Sequence, residues 1–180
     1  GPVLMRKGAD AAQDDSRYQV LGEIARGGIG VVYKGRDKDL GREVALKVLR
    51  PEYAERTDVI QRFIEEAQVG GQLQHPGIVP VYGLGMQADG RPSFAMKLIK
   101  GRTLSELRQR NPRGYDLVAV FEQMAQTMAY AHSRGVIHRD LKPANVMIGA
   151  FGEVQVVDWG FAKILGQEED DRAPEHTVIA

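Results

Sequence analysis

Three short apolar stretches, at 18–24, 31–35 and 43–49, follow one another with only turn residues between them. They are rich in Val, Ile, Leu and Tyr, and that pattern predicts consecutive antiparallel strands. The first turn is Arg26-Gly27-Gly28-Ile29-Gly30, and the second includes Asp37-Lys38-Asp39-Leu40-Gly41. Glycine is the one residue in excess, 21 of 180, against an average near ~7%. The period then changes. Over 57–74 the apolar residues Ile60, Phe63, Ile64 and Ala67 return on one side of a helix. His75-Pro76-Gly77 stops that helix, and strands are predicted again near 78–84 and 93–98.

After Gly101 the chain reads as helix. Thr103-Leu104-Ser105-Glu106 has the form of a capping box opening a short helix. A long helix is predicted over 115–133, with Leu117, Phe121, Met124, Met128 and Ala131 at helical spacing and Val118, Val120, Ala125 and Ala129 on its other faces. Arg134-Gly135 ends it. Two short strands, near 146–148 and 154–157, are joined by Gly149-Ala150-Phe151-Gly152. Mostly strands followed by mostly helix predicts an α+β chain in two lobes. Residues 1–16 lack a hydrophobic period and read as a flexible tail; 166–180 are acidic, patternless and read as flexible too. The Met124/Met128 stripe is read as core, His75 as a turn residue and His132 as part of the last turn of the long helix.

Composition excludes several functions. A chain of 180 residues, 43% hydrophobic and 27% charged, suffices for one core or two small lobes sharing one. Basic and acidic residues balance at 24 each, which implies no nucleic-acid partner. Without cysteine there is no disulfide framework, thiolate zinc site or thiol nucleophile, and a reducing compartment, the cytoplasm, is the expected location. No apolar run approaches the ~20 residues of a membrane span, and the opening residues carry no signal-peptide core. Gly1-Pro2 resembles a scar left by protease cleavage.

The residues suited to chemistry fall in a fixed order. Gly27-Gly28-Ile29-Gly30 is either a plain hairpin turn or a glycine lid whose N–H groups can approach phosphate, because no Cβ stands in the way. Val44-Ala45-Leu46-Lys47 ends an apolar strand on a lysine. Helical spacing puts Glu66 on the face of Val59, Phe63 and Gly70, pointing inward, and Glu65 over Gln61, Arg62 and Gln68, pointing to water. An inward carboxylate needs a cation, and Lys47 is the candidate. His138-Arg139-Asp140-Leu141-Lys142-Pro143-Ala144-Asn145 follows the long helix, and Asp158-Trp159-Gly160 follows a strand, thirteen positions beyond Asn145.

In this order, and on these elements, the motifs match the protein-kinase signature set. From about residue 18 to 165 the chain resembles a bacterial eukaryotic-like (Hanks-type) Ser/Thr protein kinase. The resemblance implies a five-stranded antiparallel N-lobe with one helix over 17–99. It implies a partial, mostly helical C-lobe with the catalytic and metal loops over 100–165, and part of an activation segment over 166–180. It also implies ATP and Mg²⁺ as cofactors and a protein as substrate. Ala25, Arg26, Gly27, Gly28 and Gly30 would form the phosphate lid. Lys47 would hold the α/β-phosphates and Glu66 would hold Lys47. Asn145 and Asp158 would ligate Mg²⁺; Asp140 would accept the substrate proton; Lys142 would offset charge on the γ-phosphate. Val32 and Ala45 would cover adenine from above and Met147 from below, with Met96 at the back of the pocket and Lys97-Leu98-Ile99 as a hinge offering backbone hydrogen bonds.

The chain departs from the family in four places. Ala25 stands where the first lid glycine is usual, Trp159 where Phe is usual, and Gly70 where a bulkier apolar residue is usual, which is expected to weaken the active position of the helix. The chain also reaches Ala180 without the later helices, so Ala173-Pro174-Glu175 is read as a decoy of the family's Ala-Pro-Glu anchor. The expectation is a kinase truncated after the start of its activation segment. Its turnover would be weakened, and a homodimer could form through the exposed face of 115–133. The alternative is a nucleotide-binding, pseudokinase-like regulatory or oligomerising module.

Overall fold

The computed structural model describes residues 17–110 and 116–165; the expected tails 1–16 and 166–180, with Ala173-Pro174-Glu175, and the expected helix start at 115 lie outside the described residues. In chain order the first half comprises β1 (Tyr18–Arg26), β2 (Gly30–Asp37), β3 (Arg42–Leu49), α1 (Thr57–Gln72), β4 (Val81–Met86) and β5 (Pro92–Lys97). The strands form one antiparallel sheet in the order β1-β2-β3-β5-β4. Gly41 closes the β2–β3 turn at φ 65°, and Gly90 the β4–β5 turn at φ 82°, both in the left-handed region.

Alternation along β3 decides the layers. Val44 and Leu46 pack with Ala95, Tyr18, Tyr33 and Tyr82 on one face of the sheet. Leu49 lies on the opposite face with Phe94, against Val59, Phe63 and Ala67 of α1. Phe63 is fully buried there, and a side chain of that size contributes about 1.5–3 kcal/mol on burial.

The second half comprises β6 (Gly101–Thr103), α2 (Leu104–Arg110), α3 (Leu117–Ser133), β7 (Val136–Ile137), β8 (Val146–Gly149), β9 (Val154–Val156) and β10 (Lys163–Ile164). β6, β8 and β9 form a three-stranded sheet, and β7 pairs with β10. The Thr103 capping box closes reciprocally. Thr103 N–H donates to Glu106 Oε2 (2.8 Å) and Glu106 N–H to Thr103 Oγ1 (3.1 Å). Asp116 caps α3 by accepting from the Val118 and Ala119 N–H groups, and Gly135 ends it at φ 74°. β6, β7 and β10, of two or three residues each, have no counterpart among the predicted strands.

Among the boundaries that differ from expectation, two have a visible cause. α1 stops at Gln72 because Leu73 is already extended, ahead of the restriction that Pro76 places on His75. β4 starts at Val81 rather than 78. Ile78 instead bridges Val156 of β9 and joins the core of Val69, Leu73, Ala131, Val136, Val156, Trp159 and Ala162. That core runs from α1 to α3, so the two halves share it.

Candidate active site

Directly paired residues of adjacent strands share a face. Val32 pairs with Lys47, Lys34 with Ala45, Ala45 with Met96 and Lys47 with Phe94. Val32, Ala45, Lys47, Phe94 and Met96 are therefore presented together on the α1 side of the sheet. Lys47 Nζ donates to Glu66 Oε1 at 2.5 Å, the two side chains 14% and 9% exposed. Burial pushes the Glu66 carboxyl above the usual carboxylate range, with Lys47 opposing that shift and Asp158 adding to it. Glu65 is only half-buried and takes a bond from Gln61 (2.9 Å), as the spacing predicts.

The glycine turn lies against this pair. A Cβ on Gly30 would meet Lys47 Cε at 3.0 Å and Phe63 at 3.4 Å, whereas one on Gly28 would meet nothing within 4 Å. Only Gly30 is required by space. Gly27 N–H donates to Gly30 O (2.9 Å). Ala25 and Arg26 end β1 in solvent, with Arg26 paired to Glu23 (2.6 Å).

Residues 138–145, which follow β7, form a loop organised by one buried imidazole. His138 is 1% exposed; its Nε2 donates to Val157 O (3.0 Å), so its Nδ1 accepts from the Asp140 N–H (3.2 Å). That arrangement requires the neutral ring, and burial lowers its pKa accordingly. Its edge packs on Trp159, centroids 4.7 Å apart. Arg139 takes φ 65° and donates from Nε to Phe161 O (2.7 Å). Asp140 accepts from Lys142 Nζ (2.7 Å) and from Asn145 Nδ2 (3.0 Å) at Oδ2. The Lys142 bond, more than any other group, holds the Asp140 carboxyl below its ordinary range. Asn145 Nδ2 also donates to Asp140 O (2.9 Å), and Val157 N–H to Asn145 O (2.9 Å).

Asp158 follows β9 with φ 61°, a left-handed conformation costing a non-glycine residue about 1–2 kcal/mol. Gly160 marks where two carboxylates converge. A Cβ there would lie 3.2 Å from Glu66 Oε2 and 3.4 Å from Asp158 Oδ1. Glu66 Oε2 is buried and without a hydrogen-bond partner among the described residues.

Sheet, α1 and loop thus bring Lys47, Glu66 and Asp158 to one place, and Asp140, Lys142 and Asn145 to the adjoining loop. Met147 lies on β8 opposite Thr103 and Gln155. The hinge reading is narrowed at one atom: Lys97 N–H is committed to Pro80 O (3.0 Å), so a base cannot draw on it. Sequence reasoning assigned nothing to His138, Val81 or Arg50, although each touches a site element. The contacts that tie them to the site elements run to backbone groups or to a glycine, and those leave no complementary side chain to notice.

A buried lysine–carboxylate pair thus lies against a glycine turn, with a second aspartate converging on its carboxylate. The chain belongs to the protein kinase family: the family described as "Protein kinase domain" matches residues 18–179. It is similar to the "Serine/threonine-protein kinase PknD" of Protochlamydia amoebophila, 37% identical over 177 residues, 91% of this chain and 17% of that protein. It is also similar to proteins of the same name from Chlamydia pneumoniae (38% over 168 residues; 86% of this chain, 18% of the relative) and Chlamydia muridarum (39% over 174; 86% and 18%). The chain therefore spans under a fifth of the length of these relatives. No helix among the described residues is long and apolar enough to cross a membrane.

Proposed function

We propose that the chain binds Mg-ATP between the sheet and the Asp140 loop and transfers the γ-phosphoryl group to serine and threonine hydroxyls of proteins. The observation that carries this is the Lys47–Glu66 pair, buried and placed beside Asp158. In this reading 17–99 is an N-lobe and 100–165 part of a C-lobe. The relatives' printed names support the serine/threonine class, and the cytoplasm, where ATP and Mg²⁺ are abundant, is the proposed location.

The donor set fits the ion. Among the described residues no three His, Asp or Glu side chains form a metal cluster by themselves, and Mg²⁺ commonly takes only one or two protein carboxylates beside phosphate and water. Asp158 supplies a carboxylate. Asn145, with Nδ2 engaged by Asp140, has Oδ1 as its remaining oxygen donor. Two convergent carboxylates against one lysine leave negative charge that a divalent cation offsets. When bound, Mg-ATP supplies the transferable phosphoryl group and neutralises charge on it. Lys47 anchors phosphate and Glu66 fixes Lys47. Gly27, Gly28 and Gly30 let backbone approach, and Val32, Ala45, Met96 and Met147 enclose the base with Lys97 and Ile99 at the hinge. Asp140, ionised at neutral pH, orients a substrate hydroxyl and takes its proton, while Lys142 offsets negative charge beside it.

The alternative, a regulatory or oligomerising module with little turnover, is favoured by one observation, the exposed apolar side of α3. Paired variants separate the two. Mg-ATP at a hundredfold excess over Kd should stabilise the wild type by ~2.7 kcal/mol in thermal denaturation. Asp158→Ala should lose that shift, whereas Asp140→Asn should keep it and lower autophosphorylation, read by intact mass, by ~10²–10⁴-fold. Binding without any autophosphorylation in the wild type would select the module, and no shift at saturating Mg-ATP would remove both readings.

A further inference from the structure

We infer that Arg50 is a positioning residue of the nucleotide site, clamping the glycine turn from outside and thereby setting which way its peptide N–H groups face. The inference rests on the nucleotide reading proposed above. Arg50 lies just past β3, three residues beyond Lys47. Its Nη1 donates to both Gly27 O (3.2 Å) and Gly28 O (3.0 Å), and its backbone N–H donates to Ile29 O (2.9 Å). Three successive carbonyls of the turn are thus held by one residue.

A trans peptide points its C=O and the following N–H in opposite directions. With the Gly27 and Gly28 carbonyls turned to Arg50, the N–H groups of Gly28 and Ile29 are turned away from it. On the inner side, the Cβ position of Gly30 faces the Lys47 side chain at 3.0 Å. Glycine has the widest conformational freedom of any residue, and a turn holding two of them side by side would otherwise sample many orientations. Fixing that orientation before the ligand arrives removes an ordering cost from binding.

Arg50 is built to be still. Its Nη2 donates to Glu52, its guanidinium lies 5.9 Å from the Tyr53 ring centroid, and its side chain is 27% exposed. Glu52 also balances its charge, and Nη1 is already shared between two carbonyls. Arg50 therefore acts through the turn rather than as a phosphate ligand. The planar fork explains the residue type, since a lysine can reach carbonyls only as a point donor.

The test compares wild type, Arg50→Gln and Arg50→Lys by calorimetry with Mg-ATP and with adenosine, and by hydrogen exchange at the amides of 27–29. Arg50→Gln should weaken Mg-ATP about three- to tenfold, the worth of one or two hydrogen bonds. It should leave adenosine within about twofold, because the turn contacts phosphate and not the base, and it should speed exchange at the Gly27 N–H. Arg50→Lys should fall between the two. Unchanged Mg-ATP affinity in Arg50→Gln, an equal loss for adenosine, or full wild-type behaviour in Arg50→Lys would each overturn the clamp. If wild type itself binds no Mg-ATP, the proposed function falls; exchange then decides the clamp alone, faster in Arg50→Gln upholding it and unchanged overturning it.

Discussion

At Glu66 two effects oppose each other: burial disfavours its charge and Lys47, at 2.5 Å, favours it. Removing one partner of such a pair costs about 3–5 kcal/mol when the other stays charged. Glu66 can escape that cost by taking a proton, and burial already raises its pKa. A carboxyl raised in the folded state contributes its full stability below the unfolded pKa and loses it as pH rises through the folded pKa. Lys47→Met should therefore destabilise the chain by about 3 kcal/mol at pH 8 and clearly less at pH 5, read by urea denaturation. Equal losses at both pH values would show that Glu66 does not titrate in response. The pair itself was legible in the sequence, because helical spacing separates Glu66 from Glu65 and an inward carboxylate demands a cation. His138 and Arg50 were not legible in the same way. Apart from the Arg50–Glu52 pair, their side-chain bonds run to main-chain atoms of residues 140, 157, 27 and 28, and no residue type announces those.

The position of α1 is set where it meets β4. Gly70 is the point of close approach: a Cβ there would stand 2.5 Å from Val81 Cγ2. Val81 also packs against the cluster of Leu49, Phe63 and Phe94, so it fills the space that a larger residue at 70 would occupy. Gly71, the next residue, meets nothing within 4 Å. Gly71→Ala should stabilise by about 0.5–1 kcal/mol through helix propensity alone. Gly70→Leu should cost about 1–3 kcal/mol by overpacking and should weaken Mg-ATP at least about tenfold, because α1 must move off β4 and carry Glu66 from Lys47. Val81→Gly in the Gly70→Leu background should restore part of both in thermal denaturation and calorimetry; no recovery would mean that α1 is held elsewhere. Elements with a full period were readable to within a few residues at each end. The shift of β4 from 78 to 81 was not, since Ile78 is apolar for the sake of Val156 and the shared core rather than for the sheet.

Across the whole molecule, one face of α3 has no partner among the described residues. Leu117, Val118 and Phe121 are 49%, 77% and 68% exposed, and Leu141 beside them 45%. The sequence anticipated this, because apolar residues run around the predicted helix and only part of its circumference could be buried by the elements in view. The same face carries hollows as well as knobs. A recess of about 440 Å³ is lined by Phe121, Met124, Met128, Ile137 and Leu141, and one of about 400 Å³ by Leu104, Val118 and Phe121. Projections and recesses on one surface are what a twofold contact between identical chains requires, each copy's Phe121 meeting the other's recess. Burying one such side chain contributes about 1.5–3 kcal/mol, and a symmetric contact counts it twice. The expected outcome is a concentration-dependent dimer in light scattering during size-exclusion chromatography. Val118→Glu with Phe121→Glu should return it to monomer. Both positions are exposed, so the monomer's own thermal stability should change by less than about 0.5 kcal/mol. A wild type that stays monomeric as concentration rises, with no binding of an apolar dye, would mean that residues outside those described cover the face.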